Sequence, residues 1–159
     1  KKLKLTKKIG FSIYSPNELK VLFKKFKPDI VQFPINLFDQ RIIETGWIDI
    51  LKRNKIETHG RSIFLQGLLL KKKNNIPKKF KSKNKYFDNF FYWLKKNNLS
   101  NLDSCLNFVF SRKKIDKLII GFDNIDQFKK ILNYKKSKIQ YNYDSLKVSN
   151  TKIIDPQTR

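Results

Sequence analysis

Asp29–Asn36 reads DIVQFPIN, and its alternation decides the fold. In a strand, successive side chains point to opposite faces, so Val31, Phe33 and Ile35 share one face and Gln32, Pro34 and Asn36 the other. The apolar face must meet helices. In an open doubly wound sheet the second face would be apolar as well. A polar second face suits the upper layers of a barrel interior, where a ligand meets the strand ends.

A strand-then-helix rhythm extends outward from that stretch. Lys8–Tyr14 (KIGFSIY) reads as a strand. Ser15 follows as an N-cap with Pro16 at the first helical position, and Leu19, Leu22, Phe23 and Phe26 form a helical stripe ended by Lys27-Pro28. A second helix is expected through Arg41–Asn54, with Ile42, Ile43, Trp47, Ile50 and Leu51 as its apolar set, and then a third strand, Lys55–Ser62 (KIETHGRS). Lys71–Lys85, with eight lysines and one proline, reads as a surface loop. Two helical segments come next, one carrying Phe87, Phe90, Phe91 and Leu94, the other Leu102, Cys105, Leu106 and Val109. Ile115–Phe122 (IDKLIIGF) is expected as a fourth strand, Asn124–Tyr134 as a closing helix, and Lys135–Arg159 as a tail packed over the outside. Connections of crossover length imply parallel strands.

Four such units make half a (β/α)8 TIM barrel with outer helices. The chain has 159 residues, against roughly 250 for a whole barrel, and contains no Met. The expectation is a piece of something longer, with the first four strands missing.

The formal charge is +23, from 36 Lys+Arg against 13 Asp+Glu. A nucleic-acid binder concentrates its basic residues, favours Arg for bidentate contacts and interleaves aromatics where bases stack. Here only 5 of the 36 are Arg, and the lysines are scattered from Lys1 to Lys152. Lys, Asn, Ile, Phe and Tyr, whose codons are A/T-rich, abound while Ala is absent. A biased genome and a solvated lysine surface account for that, so nucleic acid is not the expected partner, although the field would attract a phosphate-bearing cofactor. No apolar run spans a membrane, and none reads as a signal peptide. The single cysteine excludes an internal disulfide framework and fits a reducing compartment, hence the cytoplasm.

Ile9–Ser15 (IGFSIYS), DIVQFPIN, Lys55–Leu69 (KIETHGRSIFLQGLL) and Leu118–Leu132 (LIIGFDNIDQFKKIL) together resemble the aldo-keto reductase family. They resemble, in order, the strands and following loops of the C-terminal half of its barrel, strands five to eight. The ending Ile153–Arg159 (IIDPQTR) looks like that family's C-terminal tail. The resemblance implies reduction of an aldehyde or ketone by hydride transfer from a nicotinamide cofactor, NADP(H) ahead of NAD(H). Its Asp, Tyr, Lys and His tetrad would lie on the first four strands, so no catalytic residue is assigned here. On this reading the chain supplies the cofactor side, its partners are a small-molecule carbonyl substrate and the missing N-terminal half, and alone it is poorly stable and inactive.

Residue by residue, the resemblance implies that Ser12 and Gln32 hold the nicotinamide carboxamide, although Ile13 stands where an Asn often follows. Gln32 has an independent case, because an amide on an inward strand face is costly unless its donors and acceptor are paired. The competing reading pairs it with neighbouring side chains. Asn36 either faces the substrate or is an Asn in a βα turn. Arg61 occupies the family's aromatic position over the nicotinamide, or else pairs with Glu57 or with the tetrad Asp. Phe64-Leu65-Gln66-Gly67-Leu68 resembles the pyrophosphate loop, with an ordinary βα turn as the alternative, and Ser62, Leu65, Gln66 and Gly67 are taken as cofactor-binding on that resemblance. Gly121, Phe122, Asp123 and Gln127 occupy the segment that binds the 2′-phosphate, but Gly121, Phe122 and Gln127 depart from the family's Lys, Ser and Arg. Lys129 or Lys130 would help there.

His59 shares parity with Glu57 and Arg61 and reads as a buried structural histidine. A lone His without a ligand cluster makes no metal site. Cys105 on an apolar stripe reads as inert packing. Two other readings stay open: a non-catalytic nucleotide-binding regulatory subunit on the same fold, and a basic nucleic-acid-binding domain, which salt-steep affinity would reveal.

Overall fold

The computed structural model describes residues 5–155. Four strands, β1 (Gly10–Ser12), β2 (Ile30–Pro34), β3 (Glu57–Arg61) and β4 (Lys117–Leu118), form one sheet in the order β1-β2-β3-β4. All three pairings are parallel, with Ser12 opposite Gln32, Gln32 opposite His59, and His59 opposite Lys117. The helices are α1 (Asn17–Lys25), α2 (Arg41–Glu44), α3 (Trp47–Arg53), α4 (Asn84–Lys96), α5 (Asn101–Phe110), α6 (Ile125–Leu132) and α7 (Thr151–Ile154).

The parity of DIVQFPIN holds on its apolar side: Val31, Phe33 and Ile35 are fully buried in the core with Leu19, Leu51, Leu106 and Phe108. The start of α1 follows from Ser15-Pro16-Asn17-Glu18. Glu18 Oε1 accepts the N–H groups of Tyr14 at 2.8 Å and Ser15 at 2.7 Å, and Ser15 Oγ accepts from Asn17 N–H at 3.4 Å. The Glu18 carboxylate thus reaches back as one arm of a capping box, tying the chain that enters the helix to its first turn. Ser100 caps α5 by accepting from Asp103 N–H, and Asn124 caps α6 by accepting from Gln127 N–H.

Four elements differ from the sequence reading. The expected helix over Arg41–Asn54 is two helices, because Gly46 sits at φ +71° and ends the first. The first strand shrinks from Lys8–Tyr14 to Gly10–Ser12. The fourth shrinks from Ile115–Phe122 to Lys117–Leu118, an edge strand paired on one side only. Beyond it a single further bond, Ile119 N–H to Gly60 O at 2.8 Å, continues the ladder. The lysine-rich stretch Lys71–Lys85 contains two 3₁₀ turns, Lys73–Asn75 and Lys78–Lys83, and Phe80 within it is 3% exposed in the core.

In the tail, Tyr143, Leu146, Val148, Ile153 and Ile154 are buried core residues. Val148 N–H donates to Phe38 O at 3.0 Å, and Trp93 Nε1 donates to Asn142 O at 3.0 Å. Residues 156–159 of the IIDPQTR ending lie outside the described residues. Among the described residues, no helix is long and apolar enough to cross a membrane.

Candidate functional site

The second face of the sheet carries a row of polar groups that the register places side by side. Ser12 Oγ donates to Gln32 Oε1 at 3.2 Å, so the two residues singled out for a carboxamide are in contact. Below them Glu57, 14% exposed, gathers donors: its carboxylate accepts from His59 Nε2 at 2.8 Å, from Lys117 Nζ at 2.8 Å, and from Lys8. The bond from His59, then those from Lys117 and Lys8, hold the Glu57 carboxyl well below the usual carboxylate range. His59 is thus a partner of Glu57 on a half-buried strand face.

Arg61, at the end of β3, does not pair with Glu57. Its Nη2 donates to Ile13 O at 2.9 Å, its Nη1 donates to Ser62 Oγ at 3.0 Å, and its guanidinium lies 4.7 Å from the centroid of the Tyr14 ring. Tyr14 was not singled out from sequence; its position two residues after Ser12, at the same parity just beyond β1, is the signal that would have found it. Asn36 is 1% exposed, and its amide is spent on backbone. Nδ2 donates to Ser62 O at 3.1 Å, while Oδ1 accepts from Phe38 N–H at 3.0 Å and Asp39 N–H at 2.9 Å. That geometry is an Asn in a βα turn.

The loop after β3 has an unusual backbone. Ser62, Leu65, Gln66 and Gly67 have φ values of +60°, +50°, +56° and +77°. Left-handed non-glycine residues cost about 1–2 kcal/mol each and persist only where surrounding structure over-determines them. The supports are visible: Asn36 and Arg61 hold Ser62, Leu65 is 1% exposed in the core, and Asn101 Nδ2 donates to Leu69 O at 2.7 Å and to Lys71 O at 3.2 Å. Asn101 had no signal in the sequence, because its partners lie thirty residues away. Leu65 N–H donates back to Ser62 O at 2.9 Å and closes the turn on itself, so Gly67 is the member of the loop that reaches outward. A Cβ built on Gly67 meets nothing within 4 Å, so the loop borders open space there.

That space is a cleft of about 1430 Å³, lined by Gly67, Lys71 and Lys72 on one wall and Asp123, Gln127 and Lys130 on the other. The cleft therefore unites members of the two segments singled out for phosphate. Gln127 is itself engaged, since its Oε1 accepts Asp123 N–H at 2.7 Å. Gly121 and Phe122 are exposed beside it, and Phe122 packs on Phe128 with centroids 4.6 Å apart. Lys129 is exposed and is not part of the cleft lining, whereas Lys130 is. Among the described residues, no group of three His, Cys, Asp or Glu is placed to hold a metal. Cys105 is buried, and burial pushes its thiol up to about 12, which leaves it protonated and unreactive.

A family model described as the aldo/keto reductase family matches residues 2–147. No curated protein matches the chain. Among solved structures, the glycerol dehydrogenase AKR11B4 from Gluconobacter oxydans is similar, with 19% identity and a TM-score of 0.47 over 78% of this chain and 47% of that one. The chain thus spans about half the length of that structure.

Proposed function

Because the chain belongs to the aldo/keto reductase family, whose members generally bind NAD(P)H, we propose that it supplies strands five to eight of a (β/α)8 barrel and the cofactor side of an NAD(P)H-dependent carbonyl reductase. The Asp, Tyr, Lys and His that protonate the carbonyl belong to the first four strands. The observation that carries this reading is the contact between Ser12 Oγ and Gln32 Oε1 on the face away from the helices. The bond fixes the Gln32 amide and leaves its NH2 to donate to a carboxamide oxygen.

When bound, the nicotinamide dinucleotide supplies the hydride. Ser12 and Gln32 orient its carboxamide, and the left-handed loop of Ser62, Leu65, Gln66 and Gly67 lies at its pyrophosphate, which it approaches at Gly67. Asp123, Gln127 and the exposed Gly121 and Phe122 border its adenosine end. Lys71, Lys72 and Lys130 on the cleft walls favour the extra phosphate of NADP(H) over NAD(H). Arg61, stacked on Tyr14, borders the nicotinamide and does not replace an aromatic ring over it. The substrate is a small carbonyl compound, and the single buried thiol suits the reducing cytoplasm.

The test is a titration of NADPH and NADH fluorescence on the full-length protein, with Gln32→Leu alongside. The expected result is tighter NADPH binding and about tenfold weaker binding in the variant, the loss of one to two hydrogen bonds. Unchanged affinity in Gln32→Leu overturns the assignment.

A further inference from the structure

Three buried side-chain atoms among the described residues lack a hydrogen-bond partner: Asn107 Nδ2, Arg112 Nε and the Tyr134 hydroxyl. They are gathered in one region. Asn107 and Arg112 line a cavity of about 570 Å³ between the end of α5 and the segment 136–143, and Asn107 and Tyr134 also line the adjoining larger cleft. An unpaired buried donor has lost its water without a replacement, so each such atom calls for an explanation.

The donor end of Asn107 is fixed by its other end. Oδ1 accepts Ser137 N–H at 3.2 Å in a residue 3% exposed, which leaves Nδ2 as an unsatisfied donor at the cavity wall. Arg112 is half-buried, with its guanidinium 4.5 Å from the Phe108 ring centroid and 5.7 Å from that of Tyr143. Burial lowers its pKa, and among the described residues its side chain makes no ion pair. Asp144, whose charge reaches it, is paired with Lys147 Nζ at 2.8 Å. Among the described residues, Lys113, Lys136 and Lys138 line the same cavity, and no Asp or Glu does. A half-buried guanidinium among three ammonium groups, without a carboxylate, is an uncompensated positive site.

We propose that this cavity binds a phosphate-class oxyanion, held by Arg112 and Asn107 and neutralised by Lys113, Lys136 and Lys138. The planar guanidinium offers paired N–H groups to phosphate oxygens, and the Asn107 amide adds a third, neutral donor. The volume exceeds what bare phosphate fills and lies within the range of small-molecule pockets. The ligand is therefore the phosphate group of a small phosphate monoester. The site shares Asn107 with the larger cleft, but it stands on Arg112, which lines only this cavity of the two, and does not depend on the assignment of the pyrophosphate loop.

The test is a calorimetric titration of the full-length protein with inorganic phosphate and with glycerol phosphate, at constant ionic strength set by sodium chloride. Saturable binding is expected, tighter for the monoester, and weakened about tenfold or more in Arg112→Gln. Circular dichroism checks that the variant folds. Should it not fold, the exposed pair Lys136→Gln/Lys138→Gln decides, with a severalfold loss expected. Binding of phosphate and monoester with equal affinity leaves the anion site standing and removes the monoester from it. Three results overturn the proposal: no saturable binding, an equal loss in Lys20→Gln/Lys24→Gln on α1, or a loss confined to Lys71→Gln/Lys72→Gln in the larger cleft.

Discussion

Asn36 ties the end of β2 to the end of β3 by donating from Nδ2 to the carbonyl of Ser62 at 3.1 Å. Ser62 is held at φ +60°, a conformation that costs energy for a residue with a Cβ. One buried amide thus holds the first residue of the left-handed loop that reaches the cleft, while its oxygen closes the turn at Phe38 and Asp39.

Asn36→Ala removes these bonds and leaves two backbone N–H groups and a carbonyl to find other partners. The expected cost is about 1–3 kcal/mol, read from the urea midpoint. If the chain serves as proposed, KM for cofactor in the full-length protein rises through the displaced loop, while the KM ratio between two carbonyl substrates stays fixed. A change in that ratio would return Asn36 to a substrate role.

Arg41 grips Asp39 with two parallel bonds, Nε to Oδ1 and Nη2 to Oδ2, both 2.8 Å, and also donates to Tyr14 O at 3.0 Å. The Asp39 side chain is 1% exposed, and burial raises its pKa against the pull of Arg41. Arg41→Leu strands a buried carboxylate, with an expected loss of about 3–5 kcal/mol. Arg41→Leu with Asp39→Leu recovers part of it. A double variant as unstable as the single would show that the charge was not the cause.

Thr58, fully buried, links β3 to the approach of β4. Its Oγ1 donates its one proton between two acceptors, Lys114 O at 2.7 Å and Asp116 Oδ2 at 2.9 Å, and accepts from Asp116 N–H at 3.1 Å. Thr58→Val keeps the shape and removes these bonds, so about 1–3 kcal/mol is expected. Faster amide exchange at Lys117 and Leu118 would place the damage at the edge strand, and unchanged exchange there would contradict the link.

The Glu57 cluster predicts an acid-sensitive limb. The carboxyl is held below its unfolded value of about 4.3 by His59, Lys117 and Lys8. Its contribution is therefore complete above that value and is lost as the pH falls toward the lower, folded one. Glu57→Gln should flatten denaturation midpoints measured between about pH 5 and pH 2. An acid limb as steep as in the parent would remove Glu57 from the account.

How much of this the sequence determined by itself follows from the range of each interaction. The alternation of DIVQFPIN, the Ser15–Glu18 box, the stop at Pro28 and the cap at Asn124 all rest on neighbours one to four positions apart. Those neighbours are written in order along the chain, and the parallel strand order followed from them. Gly46 was just as local and was overlooked beneath a strong apolar stripe.

The tertiary structure alone decided where polar groups found their partners. Asn36 meets Ser62 across 26 positions, Gln32 meets Ser12 across 20, and Asn101 meets Leu69 across 32. The length of β4 likewise depended on its one paired neighbour, β3. Arg112 acquired its meaning only when α5 and the tail enclosed it without a carboxylate. Periodicity records which side of an element is apolar. The partner of a buried donor is set by which distant backbone the packing brings within about 3 Å, and no local pattern carries that distance.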